Sequence, residues 1–292
     1  MRERGPNVAA SVRARLLNLA HERGQALDLL LTRYTLERLL HRLSLSPHRE
    51  RFALKGAMLL TTWIEPAHRP TRDVDLLGFG NSSPEVVLAT FRDICSIESA
   101  DGIEFDGKGM RVDLIREELE YGGLRLRTTA TLAGARIAVV VDIGFGDAIE
   151  PGLEEIELPV LLDMPSPRLR AYPRETVIAE KFQAMTALGR ANSRMKDFYD
   201  IWMLLNNYEF DTDRLASAIA ATFRRRKTPV PTSLPDAFTP DFAQDAGKQR
   251  QWAAFTHELA VAILPLETVI DDLARRLMPI AAAAVTRGRR EA

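Results

Sequence analysis

KGAMLLTTWIEPAHRPTRDVDLLGF, residues 55–79, passes from a glycine turn to an apolar helix, a loop and a strand. Lys55 and Gly56 precede the apolar run that ends at Trp63, and a glycine at a helix start lets an anion approach free backbone N–H groups. Pro66 and Pro70 bracket the loop, and residues 73–79 then read as a strand. That strand opens with Asp73-Val74-Asp75. Strand side chains alternate faces, so both carboxylates project the same way with Cα atoms roughly 6.5–7 Å apart.

Further along, Ser83-Pro84 is an N-cap followed by proline at the first helical position, which predicts a helix to about Ile94. Residues 103–105, 111–115, 124–131 and 136–145 then read as strands, separated by Gly107, Gly109, Gly122-Gly123 and Gly134. Helix, strand and hairpins in this order predict an α+β domain with a mixed or antiparallel sheet. Residues 159–173 form a proline-punctuated connector. Helical segments follow at about 174–189, 195–206, 212–226, 247–263 and 266–284, with a proline-rich loop at 228–245. Upstream, residues 8–45 read as helical, 52–55 are ambiguous, and 56–63 continue as helix. The expected division is a helical segment over 1–50, an α+β core over 51–165, and a helical region over 166–292 that completes a cleft.

Composition excludes several classes. A formal net charge of −1 gives no overall basic field, which leaves only local patches such as Arg224-Arg225-Arg226-Lys227 and Arg287, Arg289 and Arg290. Cys95 is the single cysteine, so no internal disulfide forms, as suits a reducing cytosol. No signal core or membrane-spanning stretch is legible, and a cytoplasmic location is expected.

Three carboxylates can serve a metal. Asp73 and Asp75 are hard oxygen donors at a separation that suits Mg²⁺. Asp142 is the natural third, because Ile137, Val139, Val141 and Ile143 form one face of its strand and Asp142 falls on the other. The same spacing at Asp211-Thr212-Asp213 opens a helix instead and reads as a cap. In the helix from 174, Lys181 falls within the arc of Val177, Ile178, Phe182, Met185 and Leu188. A lysine there either snorkels past the core to water or meets an anion. Asp197 and Arg194 project into the apolar arc of Phe198, Ile201, Trp202, Leu204 and Leu205, with Asp200 at its edge. Asp197 is therefore the better buried partner, with Arg194 as its expected counter-ion.

The string Lys55-Gly56…Arg69-Pro70-Thr71-Arg72-Asp73-Val74-Asp75-Leu76 resembles the first motif of the AbiEii/AbiGii-type (MenT-like) nucleotidyltransferase toxins, of the polymerase-beta-like superfamily. Val141-Asp142-Ile143-Gly144-Phe145-Gly146-Asp147, Glu180-Lys181-Phe182 and Arg194-Met195-Lys196-Asp197-Phe198-Tyr199-Asp200 extend the resemblance, in the family's order, from about 52 to 205. The resemblance implies a polymerase-beta-like core and transfer of a nucleoside monophosphate from an NTP with release of pyrophosphate. It assigns metal binding, by Mg²⁺ or alternatively Mn²⁺, to Asp73, Asp75 and Asp142. Lys55, Gly56, Ala57, Arg69, Thr71 and Lys181 are assigned to the NTP. The later aspartate, Asp200, takes a catalytic role, with Arg194, Lys196 and Asp197 in support. It implies as partners an RNA acceptor, such as the tRNA 3′ end, whose modification blocks translation, and a cognate antitoxin. Ala57 departs from the pattern, since many relatives carry serine there. A small-molecule nucleotidyltransferase and a non-catalytic NTP-binding module are the competing readings.

Overall fold

Alternation between buried and half-exposed residues governs the strands. In β6 (Ala135–Phe145) the buried set is Ile137, Val139, Val141 and Ile143, and in β5 (Gly123–Leu132) it includes Leu124, Leu126, Ala130 and Leu132. The computed structural model describes residues 7–64, 71–115, 123–257, 259 and 264–291, the last four without side-chain detail. It falls into two compact units: Met1–Gly146 with Glu154–Ala171, and Asp147–Leu153 with Tyr172–Ala292.

The first unit is built on an eight-stranded sheet among the described residues, in the order β3-β5-β6-β2-β1-β8-β7, with β4 also pairing to β5. Its other strands are β1 (Phe52–Lys55), β2 (Val74–Gly78), β3 (Glu104–Phe105), β4 (Arg111–Ile115), β7 (Glu154–Glu157) and β8 (Arg168–Ala171). β2 runs parallel to β6, and β1 runs parallel to β8, while the other pairings are antiparallel. The α+β class with a mixed sheet and a helical C-terminal region is thus the one the chain adopts.

Parallel neighbours need a long crossover. The segment between β2 and β6 supplies one, beginning with α4 (Pro84–Ser96), whose N-cap Ser83 accepts from the Val86 N–H. Helix α1 (Val8–Arg23) packs on β5, α2 (Leu27–Leu45) on β6 and β8, and α4 on β4. These helices account for the buried side of the sheet. Residues 8–45 are two helices, not one: Gly24 takes φ +60° and its N–H bonds back to Ala20 and His21, closing α1.

The connector 159–173 also holds more than a link, since β8 lies within it. Apolar alternation over four residues is too short to announce a strand, and β8 is fixed instead by pairing with β1 and β7. Buried charges on α2 hold the approach to it. The Glu37 carboxylate accepts from the Leu161 N–H and from Arg33, and Arg38 Nη1 donates to the Pro165 carbonyl. Arg42 forks onto Asp101 at 2.6 and 3.1 Å, tying α2 to the chain after α4.

The second unit is helical: α5 (Arg174–Leu188), α6 (Met195–Asn207), α7 (Thr212–Arg225), α8 (Pro240–Ala243), α9 (Ala246–His257) and α10 (Leu266–Glu291). Phe182 stacks on Phe238 with centroids 5.7 Å apart and tilts against Phe223 at 5.5 Å, while Phe198 meets Phe242 at 5.6 Å. Phe238 and Phe242 come from the proline-rich segment 228–245, so that segment is pinned into the core by aromatic contacts.

Candidate functional site

The sheet brings a row of charges into line. β2 places Val74 and Leu76 in the core, so Asp75 lies on the other side. Asp75 is in register with Lys55 on β1 and with Asp142 on β6, and Asp142 is in register with Arg125 on β5. Direct register partners share a face, so Lys55, Asp75, Asp142 and Arg125 form one transverse row with strands about 4.8 Å apart. Asp73 lies immediately before β2, near enough for its charge to act on Arg125. Its carboxylate accepts from the Thr71 hydroxyl at 2.9 Å, so Thr71 orients Asp73 directly.

Arg125 binds Asp142 with both arms of its guanidinium, Nε to Oδ1 at 2.6 Å and Nη2 to Oδ2 at 2.5 Å. That hydrogen bonding raises the guanidinium pKa above its usual value, and the charges of Asp142, Asp73 and Asp75 add to the rise. All three carboxylates therefore lie within the electrostatic reach of one arginine. Sequence reasoning missed this residue. The alternation Leu124-Arg125-Leu126-Arg127 does put Arg125 on the polar face of its strand, but only the register identifies its partner.

Gly56 adopts φ +70°, and a Cβ there would stand 1.9 Å from Asp75 Oδ2 and 2.5 Å from its Cγ. The glycine is required twice, for its backbone conformation and for the space that the Asp75 carboxylate occupies. Gly56 opens α3 (Gly56–Leu60), a helix shorter than the sequence predicts, with turns continuing to Ile64. Lys55 is its N-cap residue, and Ala57 lies in its first turn.

The donor set suits a hard divalent cation: carboxylate oxygens from Asp73 and Asp75, in a space kept open by Gly56. Asp142 is their neighbour in register, but its two oxygens face Arg125. Accordingly, among the described residues no group of three or more His, Cys, Asp or Glu side chains converges as a metal site.

The second unit organises the other predicted residues. Lys181 on α5 donates to Asp197 Oδ1 at 2.6 Å and contacts Asp200 Oδ2 at 2.9 Å. Asp197 and Asp200 are three residues apart on α6 and so share a face. Their neighbours Phe182 and Phe198 are fully buried, and this packing fixes both helices. Lys181 thus meets anions within its own unit, which explains how an ammonium is tolerated in an apolar arc. Arg194 is exposed, and Asp197 takes Lys181 in its place; Lys196 is also exposed. Asp147 accepts from the Tyr172 hydroxyl at 2.7 Å, and Asp211 caps α7 by accepting from the Arg214 N–H. Arg69 lies outside the described residues.

Comparison with known proteins bears on this geometry. The family described as nucleotidyl transferase AbiEii toxin, type IV toxin–antitoxin system, matches residues 38–274. Among solved structures, JHP933 from Helicobacter pylori is 17% identical with a TM-score of 0.48, over 90% of this chain and 94% of that one. A second H. pylori protein, provisionally termed a nucleotidyltransferase, is 18% identical with a TM-score of 0.48, over 90% and 97%. No curated protein matches. No described helix is long and apolar enough to cross a membrane.

Proposed function

The chain belongs to the AbiEii nucleotidyl transferase toxin family, and on that premise we propose that it transfers a nucleoside monophosphate from an NTP to an RNA acceptor, the 3′ end of tRNA, in a reaction dependent on Mg²⁺ or Mn²⁺. Nucleotidyl transfer itself comes with the family, as does an antitoxin partner. The acceptor and the ion are the proposal. The observation that carries the ion is the placement of Asp75 and Asp142 in register, with Gly56 kept bare beneath the Asp75 carboxylate, and the RNA acceptor follows from the family resemblance.

In this reading the acceptor hydroxyl attacks the α-phosphorus. Its oxygen forms the new P–O bond as the bond to the departing pyrophosphate breaks, and the hydroxyl proton leaves to solvent. Asp73 and Asp75 would hold the divalent ion, which would offset negative charge on the oxygens being exchanged. Thr71 fixes the Asp73 carboxylate through its hydroxyl, and Asp142 stands beside the pair. Lys55 and the backbone around Gly56 and Ala57 serve the triphosphate, and Ala57 leaves that task to backbone donors and cations. The family resemblance assigns Arg69 and Lys181 to the triphosphate as further cations; within its own unit the Lys181 ammonium meets Asp197 and Asp200. Arg194 and Lys196, both exposed, are placed in support.

The test is incubation of purified protein with each labelled NTP, total cellular RNA and Mg²⁺ or Mn²⁺. Label should enter RNA of tRNA size with release of pyrophosphate, and Asp73→Ala should remove it without changing the far-UV spectrum or Tm. Expression of the unaltered chain should arrest growth by blocking translation, and expression of Asp73→Ala should not. Equal labelling or equal arrest by the folded variant refutes chemistry at this site, and label entering only small acceptors refutes the RNA assignment.

A further inference from the structure

Asp75 and Asp142 are like charges placed directly opposite each other on neighbouring strands, an arrangement that is unfavourable unless a cation lies close by. In this chain Arg125 is that cation for Asp142. Its contact is a two-armed fork, the strongest geometry available to a guanidinium and a carboxylate, and it engages both Asp142 oxygens at once. Arginine keeps its charge at all working pH values, so proton loss cannot relieve the contact. Its neighbours are organised to keep it there. Asp113, in register with Arg125 on β4, turns to Arg127, which leaves Arg125 committed to the Asp142 side.

We propose that Arg125 is a positioning residue that holds Asp142 in the ion-free chain and competes with a divalent cation for its carboxylate. This rests on the nucleotidyl-transfer reading, because it concerns the ion which that reading places on Asp73 and Asp75. An ion held by those two residues gains Asp142 as a third oxygen donor most fully when the fork opens. A dication and a guanidinium sharing one carboxylate repel each other, and each weakens the other's hold on it. Opening the fork also leaves a positive charge on β5, facing the row of carboxylates, where it is free to meet an anion such as a phosphate oxygen. The row thus binds its ion with a built-in opponent, which keeps the like-charged pair tolerable before the ion arrives.

The experiment is Mn²⁺ titration of the full chain by calorimetry, with melting temperature measured with and without the ion, for the unaltered protein and for Arg125→Met, Arg125→Lys, Asp142→Asn and Arg125→Met/Asp142→Asn. Arg125→Met removes the competitor. It should melt lower without the ion, bind Mn²⁺ about five- to tenfold more tightly, and gain more in Tm on saturation. Arg125→Lys, with a charge but no fork, should fall between. The double variant should lose the gain and bind as Asp142→Asn does, which separates competition for Asp142 from a general loss of charge. Equal or weaker Mn²⁺ binding by Arg125→Met, with binding retained by the unaltered protein, overturns the competition alone. Absence of Mn²⁺ binding in every protein overturns the ion-dependent reading together with it.

Discussion

Lys181→Met removes the one ammonium that meets two carboxylates. The side chains of Lys181, Asp197 and Asp200 are 15%, 7% and 0% exposed, so water cannot take over the role of the missing cation. Breaking a buried pair by removing one partner costs about 3–5 kcal/mol, because the remaining charge is desolvated and uncompensated. Here Asp197 and Asp200 both lose the Lys181 contact and, three residues apart on one helix face, repel each other. A loss of that size lowers Tm by about 10 °C in a chain of this length. Asp197→Asn provides the contrast: it leaves Lys181 and Asp200 as a neutral pair and forfeits one contact at the more exposed position, about 1–2 kcal/mol. Asp200→Asn, at a fully buried position, should fall between the two. Thermal and urea melts of the three variants decide the matter. A Lys181→Met protein that melts within about 2 °C of the parent, or an Asp197→Asn protein that loses as much, would refute the view of Lys181 as the counter-ion of a buried acidic pair.

Gly56→Ala forces a Cβ to within 1.9 Å of Asp75 Oδ2 at a positive φ. It should cost about 1–2 kcal/mol from backbone strain and lower nucleotide transfer by about 10²-fold through displacement of the Asp75 carboxylate; normal Tm and full transfer would show that the contact is dispensable. Burial pushes the Cys95 thiol up to about 12, so the folded protein holds this proton where the unfolded chain, near pH 9, releases it. The associated stability is present below pH 9 and is lost as pH rises toward 12, so Cys95→Ala should show a shallower alkaline fall in stability than the parent, and an unchanged pH profile would refute the assignment. For the same reason native Cys95 should alkylate far more slowly at pH 8 than in urea, as followed by mass spectrometry.

Local signals in the sequence carried much of this structure. The Ser83-Pro84 start of α4, the cap at Asp211, the strand alternation through 124–145 and the helices after 174 are each written within one or two turns of chain, where propensity and periodicity act. Asp73 and Asp75 were legible as neighbouring carboxylates for the same reason, although β2 begins one residue later than the sequence predicts, at Val74. The Lys181 arc was equally local, and it correctly required an anion or an escape to water.

Non-local pairing decided the rest. No property of residues 168–171 announces an interior strand, and β8 exists because β1 and β7 lie on either side of it. The choice of Lys181 over Arg194 as partner of Asp197 depends on how α5 and α6 pack around Phe182 and Phe198. Register is the clearest case. That Asp75 faces Asp142, and that Arg125 then takes both oxygens of Asp142, is set by how β2, β6 and β5 slide against one another. A one-residue slip would send every side chain of a strand to the opposite face, so the core residues fix the register and the charged row follows from them. The sequence by itself determined which carboxylates are close neighbours at the start of a strand, because that is a matter of local spacing. Only the tertiary structure decided which cation they meet, because that depends on strands brought together from distant parts of the chain.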